Sequence, residues 1–140
     1  MTTVSEALKA FRDSGAKYLD LRFTDVKGKW QHLTMDGTVV DEDLLNNGVF
    51  FDGSSIAGWK AINESDMVLK PDLSTTVMDP FTAQPTMMIF CDILDAVTKE
   101  PYERDPRGTA KKAEEYVKSS GMGDTVYIGP DAEFFVFADV

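Results

Sequence analysis

A short polar segment near the middle of the chain carries the residues best suited to chemistry. It runs from Phe50 to Lys60 as FFDGSSIAGWK and holds one carboxylate, Asp52, together with two hydroxyls and two glycines. The glycines and the polar run disfavour both helix and strand, so the sequence predicts a loop. Two interpretations stay open: a solvated turn that Asp52 caps with its own side chain, or a loop that presents its polar groups to a ligand.

Two further carboxylates lie close together near residue 130. Asp131 and Glu133 follow a Gly-Pro pair and precede the apolar run Phe134–Phe137, which predicts a strand buried on both faces. Alternate residues of a strand share a face, so both carboxylates would point the same way, about 7 Å apart along the backbone. A buried carboxylate needs a partner. A hard divalent cation such as Mg²⁺ or Mn²⁺ is one such partner. In the alternative interpretation, Pro130-Asp131 is only a turn and Glu133 pairs with an unidentified basic side chain.

Other metal-binding residue types are scarce in the sequence. His32 is the single histidine and Cys91 the single cysteine. One histidine without a second His or Cys does not build a zinc site, so we predict that His32 lies on the polar face of a strand. Cys91 lies in the apolar run MMIFC, which is typical of a buried and inert thiol, and a lone cysteine excludes a disulfide framework within the chain.

Composition indicates a globular domain with an acidic surface. The 140 residues are 43% apolar, and 24 acidic against 14 basic residues give a formal net charge of −10. An excess of acids disfavours binding to nucleic acid or to an anionic membrane, because phosphates are bound by Lys and Arg. The sequence has neither a signal-peptide pattern nor an apolar run of about 18 residues, so a cytoplasmic location is the default expectation.

Hydrophobic periodicity places these residues on an α+β sheet scaffold. Capping-box spacing between Thr3 and Glu6 predicts a helix that ends near Gly15. Alternation over Leu19–Phe23 and again over Trp30–Met35 predicts a hairpin. The remaining patterns predict a short helical segment at Val39–Asn47 and strands at Met67–Lys70, Thr75–Met78 and Met87–Ile93, the last of them central.

The last forty residues are typical of a second region. Pro101–Pro106 predicts a linker, within which Asp105 is placed as the N-cap and Pro106 as the first residue of a helix. That helix is predicted to end near Gly121. Strands are predicted at Thr125–Ile128 and at Asp131–Phe137.

The segment Phe50–Lys60, followed by Ile62–Met67, resembles the signature loop of bacterial type I glutamine synthetase. Residues Tyr18 to Phe137 align with the N-terminal part of that family. The resemblance implies an α+β protein with a β-grasp N-terminal domain over residues 1–104. Residues 105–140 would be the truncated helix-plus-strands start of the glutamine synthetase catalytic domain. We therefore expect the chain to be an N-terminal fragment that is inactive alone.

The resemblance also implies a reaction and roles for individual residues. The family joins ammonia to glutamate through γ-glutamyl phosphate, using ATP and two Mg²⁺ or Mn²⁺ ions per site. Asp52 matches the residue that attracts ammonium and accepts its proton, and Ser55 matches a neighbour in the same site. Glu133 matches the second glutamate of Gly-Pro-Glu-x-Glu-Phe-Phe, a ligand of the cation near the substrate glutamate. Asp131 stands where the family has Glu; being shorter, it would ligate the ATP-bridging cation after a small shift or through a water.

The resemblance also implies an assembly, and the residues themselves leave alternative functions open. Members of the family form dodecamers of two stacked hexameric rings. In these, the loop that corresponds to the Asp52 segment reaches the active site of an adjacent subunit. Asp52 and Glu133 of one chain would then serve different sites. The alternatives are a related γ-glutamyl-amine ligase, a non-catalytic acidic binding module and, least favoured, a hydrolase using Asp131 and Glu133 as acid and base. Two carboxylates on one strand lie too close and too similarly placed for that last role.

Overall fold

The computed structural model describes residues 3–59 and 65–139, and divides the chain into two compact units, Met1–Ala110 and Lys111–Val140. In the first unit, the described residues form helices α1 and α2 and six strands. A third helix, α3, begins in the first unit and continues into the second. The bounds are α1 Val4–Asp13, β1 Tyr18–Thr24, β2 Trp30–Asp36, α2 Glu42–Asn47, β3 Val49–Asp52, β4 Asp66–Pro71, β5 Val77–Met78, β6 Thr86–Asp95 and α3 Pro106–Ser119.

Helix α1 begins at the capping box that the sequence predicts. The backbone N–H of Glu6 donates to Oγ1 of Thr3 at 3.2 Å, and the N–H of Thr3 donates to Oε2 of Glu6 at 2.7 Å. Two of the free N–H groups at the helix start are thereby satisfied. The apolar side of α1, with Ala7, Leu8 and Phe11, is buried against the core.

The sheet is built around β6, as its long apolar run predicts. Its strand order is β2-β1-β6-β4-β3, with the short β5 also paired to β6. Strand β1 runs antiparallel to β2 and parallel to β6, while β6 is antiparallel to β4. Leu19, Leu21, Ile89 and Ile93 are at most 1% exposed and form the centre of the core. Cys91 is buried in β6, and burial raises the pKa of its thiol. The predicted buried and inert cysteine is therefore confirmed.

Asp20 lies on the face of β1 opposite to Leu19 and Leu21, where alternation predicts contact with solvent. The residue is nevertheless only 4% exposed. Its Oδ1 accepts hydrogen bonds from the Thr34 hydroxyl at 2.6 Å and lies 2.8 Å from Nδ1 of His32. Its Oδ2 accepts from Nε of Arg22 at 2.8 Å, and Arg22 also pairs with Asp79. A buried carboxylate is tolerated here because hydrogen-bond partners surround it. His32 lies on the polar face of β2, as predicted.

The segment between β6 and α3 is not the linker that its prolines predict. Pro101 forms a β-bridge with Leu94, and the N–H of Tyr102 donates to the carbonyl of Ile93 at 2.8 Å. Asp105 is the predicted N-cap, since its Oδ1 accepts from the N–H of Arg107 at 3.0 Å. Its Oδ2 accepts from the N–H of Ile93 at 3.2 Å, so the cap also ties the start of α3 to the central strand.

The second unit holds the remainder of α3 and the segment 120–139, which contains neither helix nor strand. The strands predicted at Thr125–Ile128 and Asp131–Phe137 are therefore wrong for the described structure. A strand needs a neighbour for its backbone groups, and the described residues supply none to this segment. Phe134 and Phe135 are accordingly more than 80% exposed instead of buried. Within residues 3–59 and 65–139, no helix is long and apolar enough to cross a membrane.

The Asp20 cluster makes a prediction about acid stability. Burial alone would raise the pKa of Asp20, but hydrogen bonds from Thr34, His32 and Arg22 outweigh it and hold the pKa below its usual range. Such a group contributes stability that is present above the unfolded pKa and is lost as pH falls through the folded pKa. We expect Asp20→Asn to cost about 1–3 kcal/mol at neutral pH and to flatten the loss of stability below about pH 4.

The measurement is the thermal unfolding midpoint of the full-length protein between about pH 3 and pH 7. Asp124→Asn, at an exposed position of the second unit, is the matched control. An Asp20→Asn profile parallel to that of the unmodified protein would contradict the assigned role of Asp20.

Candidate functional site

Asp52 lies at the end of a strand. Strand β3 pairs antiparallel with β4 and places Phe51 opposite Met67 and Asp52 opposite Asp66. The loop predicted from Phe50 onward is therefore wrong for its first three residues, because pairing with β4 overrides the local turn signals. A 3₁₀ turn, Gly53–Ser55, follows directly. We call the residues that directly follow Asp52, 53–59, the Asp52 loop.

The Asp52 carboxylate is exposed and also caps the turn that follows it. Its Oδ1 accepts from the N–H of Ser54 at 2.8 Å and from the Ser54 hydroxyl at 2.7 Å. Hydrogen bonds from the hydroxyl and backbone of Ser54, and from the side chain of Ser65, hold the pKa of Asp52 below its usual range. The carboxylate is therefore ionised at neutral pH. The structure confirms the first interpretation of the sequence, because Asp52 caps the turn with its own side chain at an exposed position. Presentation of the loop to a ligand stays a prediction.

The local geometry of Asp52 is not in itself a sign of function. The same Asp-x-Ser/Thr turn occurs at Asp36 with Thr38 and at Asp72 with Ser74. The Asp52 turn borders a cavity of about 220 Å³, and both Asp52 and Ser55 are among the residues that line it. The other lining residues are Phe23, Gln31, His32, Leu33, Phe51, Ile56 and Leu69. The structure thus brings the two residues predicted for ammonium handling to one cavity; their roles stay a prediction.

Trp59 anchors the far end of the Asp52 loop. Its side chain is 5% exposed, and its ring centroid lies 5.5 Å from that of Phe23 and 6.1 Å from that of Phe51. The ring of Tyr102 meets the indole edge-on at 5.5 Å. Aromatic pairs at these separations stabilise beyond the area they bury. Sequence reasoning placed Trp59 near the end of the loop but did not predict its burial.

Two glycines allow the loop to follow its path. Gly53 donates its N–H to the carbonyl of Ser65 at 2.7 Å. A Cβ on Gly53 would lie 2.3 Å from Sδ of Met67 and 3.0 Å from the Ser65 carbonyl, closer than atoms approach without displacement. Gly58 has φ +85°, in the left-handed region that favours glycine. The close approach to β4 therefore requires glycine at position 53.

The predicted metal ligands lie in the second unit. Asp131 and Glu133 are exposed, and the strand that would place them on one face is not formed. Their carboxylate oxygens are of the type that Mg²⁺ and Mn²⁺ prefer, so the donor chemistry fits. The described part of the chain contains no group of three or more His, Cys, Asp or Glu positioned to hold a metal ion. Lys60, together with residues 61–64 of the signature segment, lies outside the described residues.

Comparison with protein-family models identifies two matching regions. Residues 15–96 match the glutamine synthetase β-grasp domain, and residues 103–140 match the glutamine synthetase catalytic domain. The first region alone covers more than half of the 140 residues.

Individual relatives agree with the family models. The chain is 68% identical over all its 140 residues to a glutamine synthetase of Rhizobium meliloti (strain 1021), and 62% identical to one of Bradyrhizobium diazoefficiens. In both comparisons it spans only 30% of the length of the relative.

Solved structures show the same fold. A cryo-EM structure of Plasmodium falciparum glutamine synthetase matches 86% of this chain and 23% of its own, with a TM-score of 0.77 and 24% identity. A GmaS–ADP complex matches with a TM-score of 0.74 and 18% identity, over 86% of this chain and 26% of its own. The predicted α+β fold with a β-grasp domain is confirmed.

The Gly53 contact predicts a specific sensitivity of the Asp52 loop. We expect Gly53→Ala to destabilise the full-length protein by about 1–3 kcal/mol, because the added methyl must displace Met67 or the backbone of Ser65. Gly129→Ala is the matched control, since a Cβ there meets no atom of the described structure within 4 Å. The measurement is the thermal unfolding midpoint of the two variants. Equal midpoints for both would show that the turn does not depend on close approach to β4.

Proposed function

This chain belongs to the glutamine synthetase family, and from that premise we propose that it is part of an ATP-dependent glutamate–ammonia ligase. Because it spans about 30% of the length of its curated relatives, the activity is proposed for a longer protein that contains it. The two family-model matches, 15–96 and 103–140, support a β-grasp domain at 1–104 followed by the beginning of a catalytic domain at 105–140.

The proposed reaction has two steps. The γ-carboxylate of glutamate first attacks the terminal phosphorus of ATP, which releases ADP and forms γ-glutamyl phosphate. Ammonia then attacks the γ-carbonyl carbon, and inorganic phosphate leaves to give glutamine. Negative charge on the phosphoryl oxygens and the positioning of reactants dominate such a reaction. The second step also needs a source of neutral ammonia, because ammonium has no lone pair.

The observation that carries the proposal is that residues 15–96, which match the glutamine synthetase β-grasp domain, contain Asp52 with its carboxylate exposed and ionised. A carboxylate attracts ammonium and then accepts its proton, which frees the lone pair for attack. With a pKa below the usual range of an aspartate, Asp52 is charged throughout the neutral range, as an ordinary aspartate is, and its negative charge attracts the cation. The Asp52 carboxylate is a much weaker base than ammonia, so proton transfer from ammonium to it is unfavourable by itself. The transfer proceeds because attack on the acyl phosphate consumes the ammonia that is formed. Ser55, which lines the same cavity as Asp52, would supply a hydroxyl to the site.

Glu133 and Asp131 are the proposed protein ligands for divalent cations. Their exposed carboxylates are hard oxygen donors, and two such side chains leave coordination positions for other ligands. Bound Mg²⁺ or Mn²⁺ would neutralise charge on the phosphate groups of ATP. Glu133 would hold the cation near glutamate. Asp131, with its shorter side chain, would hold the cation that bridges the phosphates of ATP.

The proposed active sites are shared between subunits, each combining residues of two adjacent chains. In a dodecamer of two hexameric rings, the Asp52 loop of one subunit would reach the site that contains Glu133 of its neighbour. The exposed position of Asp52 at the end of an anchored loop is compatible with contact across a subunit boundary. We further propose a cytoplasmic enzyme whose partners are glutamate, ammonium, ATP and other copies of itself. The net charge of −10 disfavours nucleic acid and anionic membranes as partners.

Mixed assemblies of two inactive full-length variants test this arrangement. Asp52→Asn removes the ammonium base from the donated loop, and Glu133→Ala removes a metal ligand from the receiving site. If sites are shared, an equal random mixture should regain about a quarter of wild-type activity, because one interface in four combines two intact contributions. Steady-state glutamine formation after subunit exchange measures the recovery.

The control is a mixture of Asp52→Asn with the double variant Asp52→Asn/Glu133→Ala, in which no interface combines both groups. Verified mixed rings without recovery would contradict shared sites. A full-length protein that binds neither ATP nor Mn²⁺ would favour the alternative of an acidic binding module.

A further inference from the structure

We propose that Arg104 is a positioning residue for the Asp52 loop. Its guanidinium Nη1 donates to the backbone carbonyls of Gly58 at 2.9 Å and Trp59 at 3.3 Å, and so holds the end of the loop that is distant from Asp52. The inference rests on the proposed role of Asp52 and adds to it a residue that neither the motif nor the local sequence indicates.

The two ends of the loop are held by different means. At its beginning, β3 is paired with β4 up to Asp52, and Gly53 bonds to the Ser65 carbonyl at 2.7 Å. Two short-range backbone bonds lie inside the loop, from Ile56 to Gly53 at 3.1 Å and from Trp59 to Ile56 at 3.2 Å. At its end, the described long-range contacts are the packing of the indole and the two bonds from Arg104. Loss of Arg104 would therefore loosen one end selectively.

Arg104 is itself attached to a fixed part of the fold. Its neighbour Asp105 is 2% exposed and accepts the N–H of Ile93, while Tyr102 donates its N–H to the carbonyl of the same residue. The chain on both sides of Arg104 is thus bonded to the central strand β6, through the backbone of Tyr102 and through the side chain of Asp105. The Tyr102 ring also packs against Trp59. The segment between β6 and α3 consequently holds the loop through a ring contact and through a charged donor.

The charged side chain suits this role. Carbonyl groups at a loop end need donors, and hydrogen bonds from a charged donor are stronger than those between neutral groups. Arginine keeps its charge at every pH that proteins tolerate, and its planar guanidinium loses less side-chain freedom per bond than lysine does. Lysine at position 104 would retain the charge and one flexible donor, so it should restore part of the function.

The test uses the full-length enzyme with Arg104→Met, Arg104→Lys and the control Arg12→Met, which removes an exposed arginine near the end of α1. We expect Arg104→Met to speed amide hydrogen exchange of residues 53–59 by about tenfold relative to β6 amides. It should raise the KM for ammonium by a similar factor and leave the KM for ATP within about twofold. Arg104→Lys should fall between Arg104→Met and the unmodified enzyme, and Arg12→Met should match the latter.

Asp52→Asn, measured in parallel, separates the two claims. If Asp52→Asn impairs use of ammonium while Arg104→Met changes neither loop exchange nor the KM for ammonium, the positioning role is overturned. Equal acceleration of exchange in β6 and in the loop would also overturn it, in favour of a general contribution to stability. Unchanged ammonium kinetics in Asp52→Asn would instead overturn the proposed function of Asp52.

Discussion

Pairing of β3 with β4 sets the position of the Asp52 carboxylate, and burial of the Trp59 indole fixes the far end of the loop that follows it. The two residues lie at opposite ends of one short loop, and the aromatic side chains of Phe23, Phe51 and Tyr102 hold the indole in the core. Removal of a buried Trp side chain costs about 3–5 kcal/mol. Nε1 of Trp59 is buried without an acceptor among the described residues, which costs about 1–3 kcal/mol. The free energy gained by packing the indole exceeds the cost of its unbonded Nε1, so the indole stays in the core. The polar start of the loop stays at the surface.

The sheet supplies a rigid base for this loop, and buried carboxylates connect its parts. Asp20 joins β1 to β2 and to Arg22, and Asp105 joins the start of α3 to β6. Each is almost fully buried and each has hydrogen-bond donors of opposite or partial positive charge. Asp52 differs from both because its carboxylate is exposed. The same residue type therefore links elements of the fold where it is buried, and leaves a charged group at the surface where it is exposed.

Local patterns predicted those parts of the fold that local interactions decide. The capping box of α1, the β1–β2 hairpin, the Asp105 cap and the apolar strand β6 depend on neighbours in sequence, and all four are present. The failures concern pairing between distant residues. Pairing with β4 converts Phe50–Asp52 into strand, and bonding to Ile93 fixes Tyr102 instead of leaving a linker. The apolar run at Phe134–Phe137 predicts a strand, but a strand requires a neighbour that composition cannot reveal.

The site was predictable only in part. Chemistry alone left Asp52 as either a cap or a residue that faces a ligand, and the structure shows the cap at an exposed position. Its assignment to ammonium came from resemblance to a family motif. Arg104 escaped prediction because its contacts with Gly58 and Trp59 join residues about 45 positions apart, and nothing in the sequence marks such a pair.

The most direct test is a cryo-EM structure of the full-length assembly with ADP, Mn²⁺ and glutamate. The measured quantity is the distance from the Asp52 carboxylate to Glu133 of its own chain and to Glu133 of each adjacent chain. We expect Asp52 to enter the cleft that holds the metal and glutamate of a neighbouring subunit, with the neighbour's Glu133 the nearer one. An Asp52 that faces only solvent, or that lies nearest to Glu133 of its own chain, would contradict it.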